Sequence, residues 1–235
     1  MKRVISLPLQ QNCHLSNWEN YINANEEEDP LVIAAVSHYQ FEAIHPFMYG
    51  NGRIGRILIH IILFKRGYLH YSYLYLSDYF EYWRNSYIDE LEKMDNDGVW
   101  EEWINFFLIS VSFQANATRL KALKMLTLYQ ETKDKIESFR SFYTRNLLDV
   151  IFSKPIISSK IIRDLLPANS NQTIYNLLEK FENAGILVEI GKGKRGRVYA
   201  FEALMDMLRS TMFEEIKGQD SLEKNEEGNL KSRIE

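Results

Sequence analysis

The chain has 235 residues, 46% of them apolar, and a formal net charge of −4, enough to bury one domain core plus a smaller one and without a global pull toward nucleic acid. Its single cysteine, Cys13, excludes an internal disulfide framework and is compatible with a reducing cytoplasm. Lys2 and Arg3 precede an apolar stretch broken at once by Pro8, Gln10, Gln11 and Asn12, which is not the profile of a signal peptide.

In chain order the first clear helix start is Asp29 as N-cap with Pro30 at the first helical position, and the spacing predicts a helix to about Ile44, where the bond before Pro46 disfavours continuation. His45 is therefore presented at a helix end. A second helix opens in the turn Gly50-Asn51-Gly52, carries Arg53 and Arg56, and stops near Gly67, a residue suited to a left-handed cap. Its apolar stretch, Ile54 to Phe64, carries Arg56 and His60 and is too short to span a bilayer, so the chain reads as soluble, cytoplasmic and without a membrane partner. A third helix is expected over Ser77 to Lys93, a turn at Asp95-Asn96-Asp97-Gly98, and a fourth helix from about Trp100 to Tyr129. Aromatic residues crowd around the third helix start: Tyr71, Tyr73, Tyr75, Tyr79, Phe80, Tyr82 and Trp83 are assigned mainly to the core.

The second half has another character. A charged connector, Gln130 to Arg145, leads to three short helical segments, Asn146 to Phe152, Ile156 to Leu166 and Asn171 to Ala184, with a break at Pro167-Ala-Asn-Ser170. Gly185 ends the third, and Ile186 to Ile190 and Arg197 to Phe201 read as a two-stranded hairpin around a basic tip. From Gly185 to Phe201 four basic residues, Lys192, Lys194, Arg195 and Arg197, face one acid, Glu189, a local +3. Helix 171–184 offers Asn171, Gln172, Thr173 and Asn176 for base edges but only Lys180 as a cation, so DNA contact through the hairpin alone would be weak and salt-sensitive.

The chemistry concentrates in His45-Pro-Phe-Met-Tyr-Gly-Asn-Gly-Arg-Ile-Gly-Arg56. A helix that starts in a glycine turn directs unpaired N–H groups and its positive dipole end at an anion. Arg53 and Arg56, three apart, share one face, and planar guanidiniums grip phosphate oxygens in pairs. His45 is the one side chain of the run whose type suits proton transfer near neutral pH. Phe47 reads as a hydrophobic anchor of the loop. His38, Glu42 and His45 fall on one helical face at i, i+4 and i+7 and could suggest a metal triad, but a metallohydrolase site leaves the phosphate cradle unexplained, and His38 and Glu42 are assigned to packing and to orienting the loop.

This run resembles the Fic family signature, His-Pro-Phe-x-(Asp/Glu)-Gly-Asn-Gly-Arg-x-x-Arg, at every fixed position but 49, where Tyr replaces the carboxylate. The likeness extends upstream through Asp29 to Ile44 and downstream through Tyr75-Leu-Ser-Asp-Tyr-Phe80 and Trp100 to Phe107. It implies a mainly α, Fic-type bundle with the motif loop between two helices at residues 1–129; after the connector at 130–145 the three short helices and the hairpin resemble a small winged helix-turn-helix (α+β) domain at 146–213, and the polar composition of 214–235 reads as a disordered tail. It also implies transfer of AMP from ATP to a Ser, Thr or Tyr hydroxyl of a target protein, with His45 as base, Gly50, Asn51, Gly52, Arg53 and Arg56 on the phosphates, and Tyr75 and Tyr79 lining the adenine pocket. Mg²⁺ is the family's metal, held by the residue at position 49, and a phenol there is a poor ligand for it.

No Ser/Thr-x-x-x-Glu-(Gly/Asn) inhibitory motif is present: Glu19-Asn20, Glu182-Asn183 and Glu227-Gly228 are preceded at the needed spacing by Leu15, Leu178 and Glu223. Met1 to Leu7 corresponds at most to a remnant of the family's target-docking flap, which implies an inhibitory region lost upstream or acting in trans. Two other readings stay open: a nucleotide-sensing Fic fold acting as a DNA-binding regulator, and a Fic variant that moves another phosphate-containing group, such as phosphate or phosphocholine. The partners expected are the target protein, DNA at Lys192, Lys194, Arg195 and Arg197, and a second copy of the chain.

Overall fold

A computed structural model describes residues 8–24, 27–71, 73–139, 141–166, 171–193 and 196–210, and is mainly helical. The chain divides into two compact units, Met1–Thr118 and Arg119–Glu235, with the boundary inside one long helix.

The first unit contains α1 (Pro8–Ala24), α2 (Pro30–Ile44), α3 (Asn51–Lys65), α4 (Leu76–Tyr82), α5 (Arg84–Asp97) and the first half of α6 (Trp100–Ile136). α1 had no counterpart among the expected helices. Asp29 caps α2 as its sequence requires, its side chain accepting from Leu31 N at 2.8 Å, with Pro30 at the first helical position. α2 is apolar nearly all round, and Ile33, Ala34, Ala35 and Phe41 are buried. It is tied down at two points: Trp18 donates its indole N–H to Ser37 O at 2.9 Å, and Trp103 donates to Ala35 O at 2.9 Å.

The expected helix over Ser77 to Lys93 is two helices. Phe80 and Tyr87 stack with centroids 4.7 Å apart, whereas seven residues of unbroken helix advance roughly 10.5 Å. The break at Trp83 lets both rings enter the same core, which local propensity cannot foresee. The polar run 95–98 is not a turn either: α5 continues through Asp97, and Gly98 alone, at φ 66, ends it with its N–H on Met94 O. The aromatic assignment also needs correction. Only Tyr79 and Phe80 of that cluster are buried; Tyr71, Tyr73 and Tyr75 are each 60% exposed or more, because residues 66–71 and 73–75 run outside any helix and two of the rings, Tyr71 and Tyr73, stack on each other instead.

In the second unit α6 runs on into the expected connector as far as Ile136, since polar residues at helical spacing, such as Gln130 and Asp134 bonded at 2.7 Å, support a helix rather than end it. A 3₁₀ turn (Glu137–Phe139) follows, then α7 (Thr144–Ser153), β1 (Ile156–Ser158), α8 (Ser159–Leu165), α9 (Asn171–Asn183), β2 (Val188–Gly193), β3 (Gly196–Ala200) and α10 (Glu202–Arg209). The strands form one antiparallel sheet in the order β1-β3-β2, Ile156 and Val188 both opposite Ala200. β1 and α10 were not anticipated: three residues are too few for an alternation signal, and β1 exists only by pairing with a strand forty residues on. α9 turns Ile174, Leu177, Leu178 and Phe181 into the core on a single i, i+3, i+4, i+7 stripe, against Leu147 of α7 and Ile162 of α8. The tail at 214–235 lies outside the described residues.

Candidate active site

His45 ends α2 in the left-handed conformation, φ 48 and ψ 57, and among the described residues no other non-glycine has positive φ. Such a conformation costs about 1–3 kcal/mol and persists where the surroundings enforce it. Here the backbone N–H is fixed on Phe41 O at 3.0 Å, and ring Nδ1 stands 3.3 Å from Glu42 O. In the tautomer that donates from Nδ1 to this carbonyl, Nε2 keeps its lone pair for an incoming proton.

The loop from His45 to α3 is locked by one side chain. Asn51, 2% exposed, donates from Nδ2 to Phe47 O at 2.6 Å and accepts from Phe47 N at 2.9 Å. Its amide therefore pairs with both backbone groups of Phe47 as a neighbouring strand would. The Phe47 ring is half exposed and only tilted against Phe41 at 6.4 Å, so the anchor of the loop is the asparagine amide and not the expected hydrophobic contact. Met48 and Tyr49 are each 83% exposed.

Gly50, at φ 82, is the N-cap of α3, its carbonyl accepting from both Arg53 N and Ile54 N at 3.1 Å. A side chain there would be strained and would meet Arg53 Nη2 at 3.5 Å; one on Gly52 would meet Arg56 Nη1 at 3.4 Å. Both guanidiniums thus fold back over the glycine turn at the positive end of a fifteen-residue helix. Arg56 Nε donates to Ser77 Oγ at 2.9 Å, a neutral partner that orients the guanidinium without cancelling its charge. Ser77, which sequence reading passed over, lies two residues after Tyr75, so this bond brings the Tyr75 segment to the cradle. His60 braces the same segment: Nδ1 is 2.9 Å from Arg56 O and Nε2 contacts Leu74 O. Tyr75 is 60% exposed beside this brace, whereas Tyr79 is 6% exposed and packs against Phe80, Phe106 and Phe113.

Beneath the cradle lie His38 and Glu42, 2% and 5% exposed. A Cβ on Gly55 would stand 2.5 Å from Glu42 Oε1 and 3.1 Å from His38 Nδ1, so the middle of the Arg-Ile-Gly-Arg run must be a glycine for these side chains to fit. His38 Nε2 is 3.0 Å from the Tyr87 hydroxyl, and its ring stacks on Phe80 and Trp103. Burial pushes its pKa down to about 3, leaving a neutral imidazole. Burial pushes the Glu42 carboxyl up to about 7, with Arg56 pulling the other way.

At the basic hairpin, Arg197 pairs with Glu189 at 3.3 Å, and Lys192 lies opposite it in the strand register. Lys194 and Arg195 lie outside the described residues. On α9, Gln172 bonds Asn176 at 2.7 Å, and Lys180 donates to Phe139 O at 2.8 Å.

No helix among the described residues is long and apolar enough to cross a membrane. Residues 2–63 match the family model described as Fic/DOC family. Over 56 residues the chain is 39% identical to the protein adenylyltransferase Fic of Culex quinquefasciatus, covering 23% of this chain and 11% of that protein. It is 35% identical over 60 residues to the protein adenylyltransferase fic-1 of Caenorhabditis briggsae, covering 26% and 12%. The chain thus spans about a ninth of the length of these curated relatives. A crystal structure of a Fic family protein from Desulfovibrio desulfuricans G20 aligns with a TM-score of 0.43 and 20% identity over 82% of this chain and 55% of that one. The segment that holds His45, the glycine turn and both arginines is therefore a Fic/DOC-family match.

Proposed function

We propose that this chain is a Fic-type nucleotidyltransferase that moves AMP from ATP to a hydroxyl side chain of a target protein. The observation that carries this reading is the geometry of one loop: a histidine with Nδ1 on a backbone carbonyl, joined by a turn of five residues, 46–50, held by Asn51, to a helix N-terminus overhung by two arginines. The phosphates of ATP lie on Gly50, Asn51 and Gly52, with Arg53 and Arg56 on the β- and γ-phosphates. The target's hydroxyl oxygen attacks the α-phosphorus in line while its proton passes to His45 Nε2. The bond to the bridging oxygen breaks, pyrophosphate leaves, and AMP stays on the target. Positioning and charge stabilisation by the cradle supply most of the rate. Tyr75, exposed on the segment that Ser77 ties to the cradle, and Tyr79 on the following helix are assigned to the adenine.

The donor set does not fit a protein-held Mg²⁺. Tyr49 offers an exposed phenol where a hard carboxylate is needed, and the described residues contain no group of three His, Cys, Asp or Glu that could hold a metal ion. No step of this mechanism is routed through a metal on the chain.

For the second unit the order α7-β1-α8-α9-β2-β3 with a three-stranded sheet supports a winged helix-turn-helix. Its DNA role would rest on Lys192, Lys194 and Arg195 of the wing, because the cation of α9 is turned onto Phe139 O and Arg197 onto Glu189. Mass spectrometry of the purified protein incubated with ATP, with and without Mg²⁺ or Mn²⁺, tests the main reading. An added AMP mass on the protein or on a lysate protein is expected, and a different added phosphate-containing group would replace it with the variant reading.

A further inference from the structure

Glu42 lies on the last turn of α2, one turn before His45, and its Oε1 has no hydrogen-bond partner although the residue is 95% buried. A buried carboxyl without a partner is costly, and its persistence calls for a reason. The atom is aimed at the underside of the phosphate cradle. A Cβ built on Gly52 would lie 3.8 Å from Glu42 Oε1 and 3.4 Å from Arg56 Nη1. Carboxyl and guanidinium therefore approach the same face of one glycine without closing into an ion pair, while Nε of Arg56 donates to Ser77 Oγ.

The titratable and charged groups around Glu42 are His38 on its own helix, Arg56 on α3 and Tyr87 on α5. His38 is neutral, its pKa pushed down by burial, and burial pushes the Tyr87 phenol up, so it also stays neutral. Arg56 is the one permanent charge of the three.

We propose that Glu42 is a proton-linked positioning residue of the phosphate site: ionised, it holds the Arg56 guanidinium over Gly52 and opposes an arriving polyphosphate, and protonated, it leaves the full charge of Arg56 to the ligand. This rests on the nucleotide reading given above. With burial pushing the carboxyl up to about 7, both forms are populated near neutrality. A polyphosphate seated on the cradle adds negative charge beside the carboxyl, raises its pKa further, and so binds with uptake of a proton. The device also gives Gly52 and Gly55 a shared purpose, since a methyl group on Gly55 would collide with the carboxyl.

The test is ATP affinity by calorimetry at pH 6 and pH 8 for the wild-type protein and Glu42→Gln. The ionisation of ATP itself is common to both and cancels in the ratio. Wild type should lose about fivefold more affinity across this range than the variant, the result of raising a group near 7 by about one pKa unit on binding. A merely structural role would weaken the variant equally at both pH values, and that result overturns the proposal. A second measurement needs no variant: ¹³C NMR of the Glu42 carboxyl in the wild-type protein should give a midpoint near neutrality that moves upward when ATP is added, and an unmoved midpoint likewise overturns it. If ATP binds neither protein, the nucleotide reading falls and this inference with it; if both bind with the same pH dependence, only the role of Glu42 falls.

Discussion

Each half of the chain sets cations beside a glycine-containing turn, and the two arrangements differ in what those cations touch. At the cradle, Arg56 is oriented by a serine hydroxyl and both guanidiniums lie against glycines at a helix start. In the second unit Arg197 is paired with a glutamate of the neighbouring strand and Lys180 with a backbone carbonyl. Counting charges makes the two regions look alike. What separates Arg56 from Arg197 is whether the charge is held by a neutral group, which leaves it available to an anion, or by an anion of the protein's own.

The largest expected effect breaks the cradle at its base. His45→Ala should lower transfer of labelled AMP by ~10²–10⁴-fold while ATP affinity by calorimetry stays nearly unchanged, because the base acts on the attacking hydroxyl and not on the bound nucleotide.

Next comes the buried carboxyl. The pKa of Glu42 rises from 4.5 to about 7 on folding, so the native state binds more protons than the unfolded one between these values. Its contribution is fully present below pH 4.5 and is lost as pH climbs toward 7, on the order of 3 kcal/mol in all. His38, lowered from 6.5 to about 3, works with the opposite sign, its stabilisation being lost as pH falls below 6.5. The total curve is therefore flattened, and the informative measurement is the difference in denaturant stability between wild type and Glu42→Gln, which should grow in favour of the variant from pH 4.5 to 7.

Third, Arg56→Ala should weaken ATP binding by about 1.5–3 kcal/mol, the worth of hydrogen bonds to a charged group. Unchanged affinity would place Arg56 with Arg197 as a cation satisfied by the protein itself, and the contrast between the two regions would collapse. At the wing, alanine at Lys192, Lys194, Arg195 and Arg197 should weaken duplex DNA binding uniformly across sequences and flatten its salt dependence, read by fluorescence anisotropy. Because Arg197 is already engaged by Glu189, restoring Arg197 alone should recover little.

How legible these features are in the sequence follows the range of the interactions that make them. Asp29, Pro30 and Gly50 act on their own few residues, and the starts they impose on α2 and α3 can be read from them directly. The split at Trp83 and the strand β1 cannot, since one answers to the stacking of Phe80 on Tyr87 and the other to pairing with β3. Within the site, the contiguous motif proposes its own members, and the structure adds Ser77 and His60 from contacts between α3 and residues 74–77. Glu42 was legible as a residue on the His45 face of its helix, but its unpartnered oxygen was not, because that depends on two glycines one helix away.

The pair of hydrogen bonds between Asn51 and Phe47 closes residues 47–51 into a small ring. Met48 and Tyr49, at its rim, are 83% exposed and take no part in the closure. The ring can therefore change its lettering but not its length: alanine at either rim position should leave ATP affinity by calorimetry within about twofold, surface positions costing little, whereas one inserted residue would part His45 from the arginines it serves. A site built this way is free to vary its outward face, and so whatever it presents to a partner, while the distance between base and phosphate is inherited unchanged.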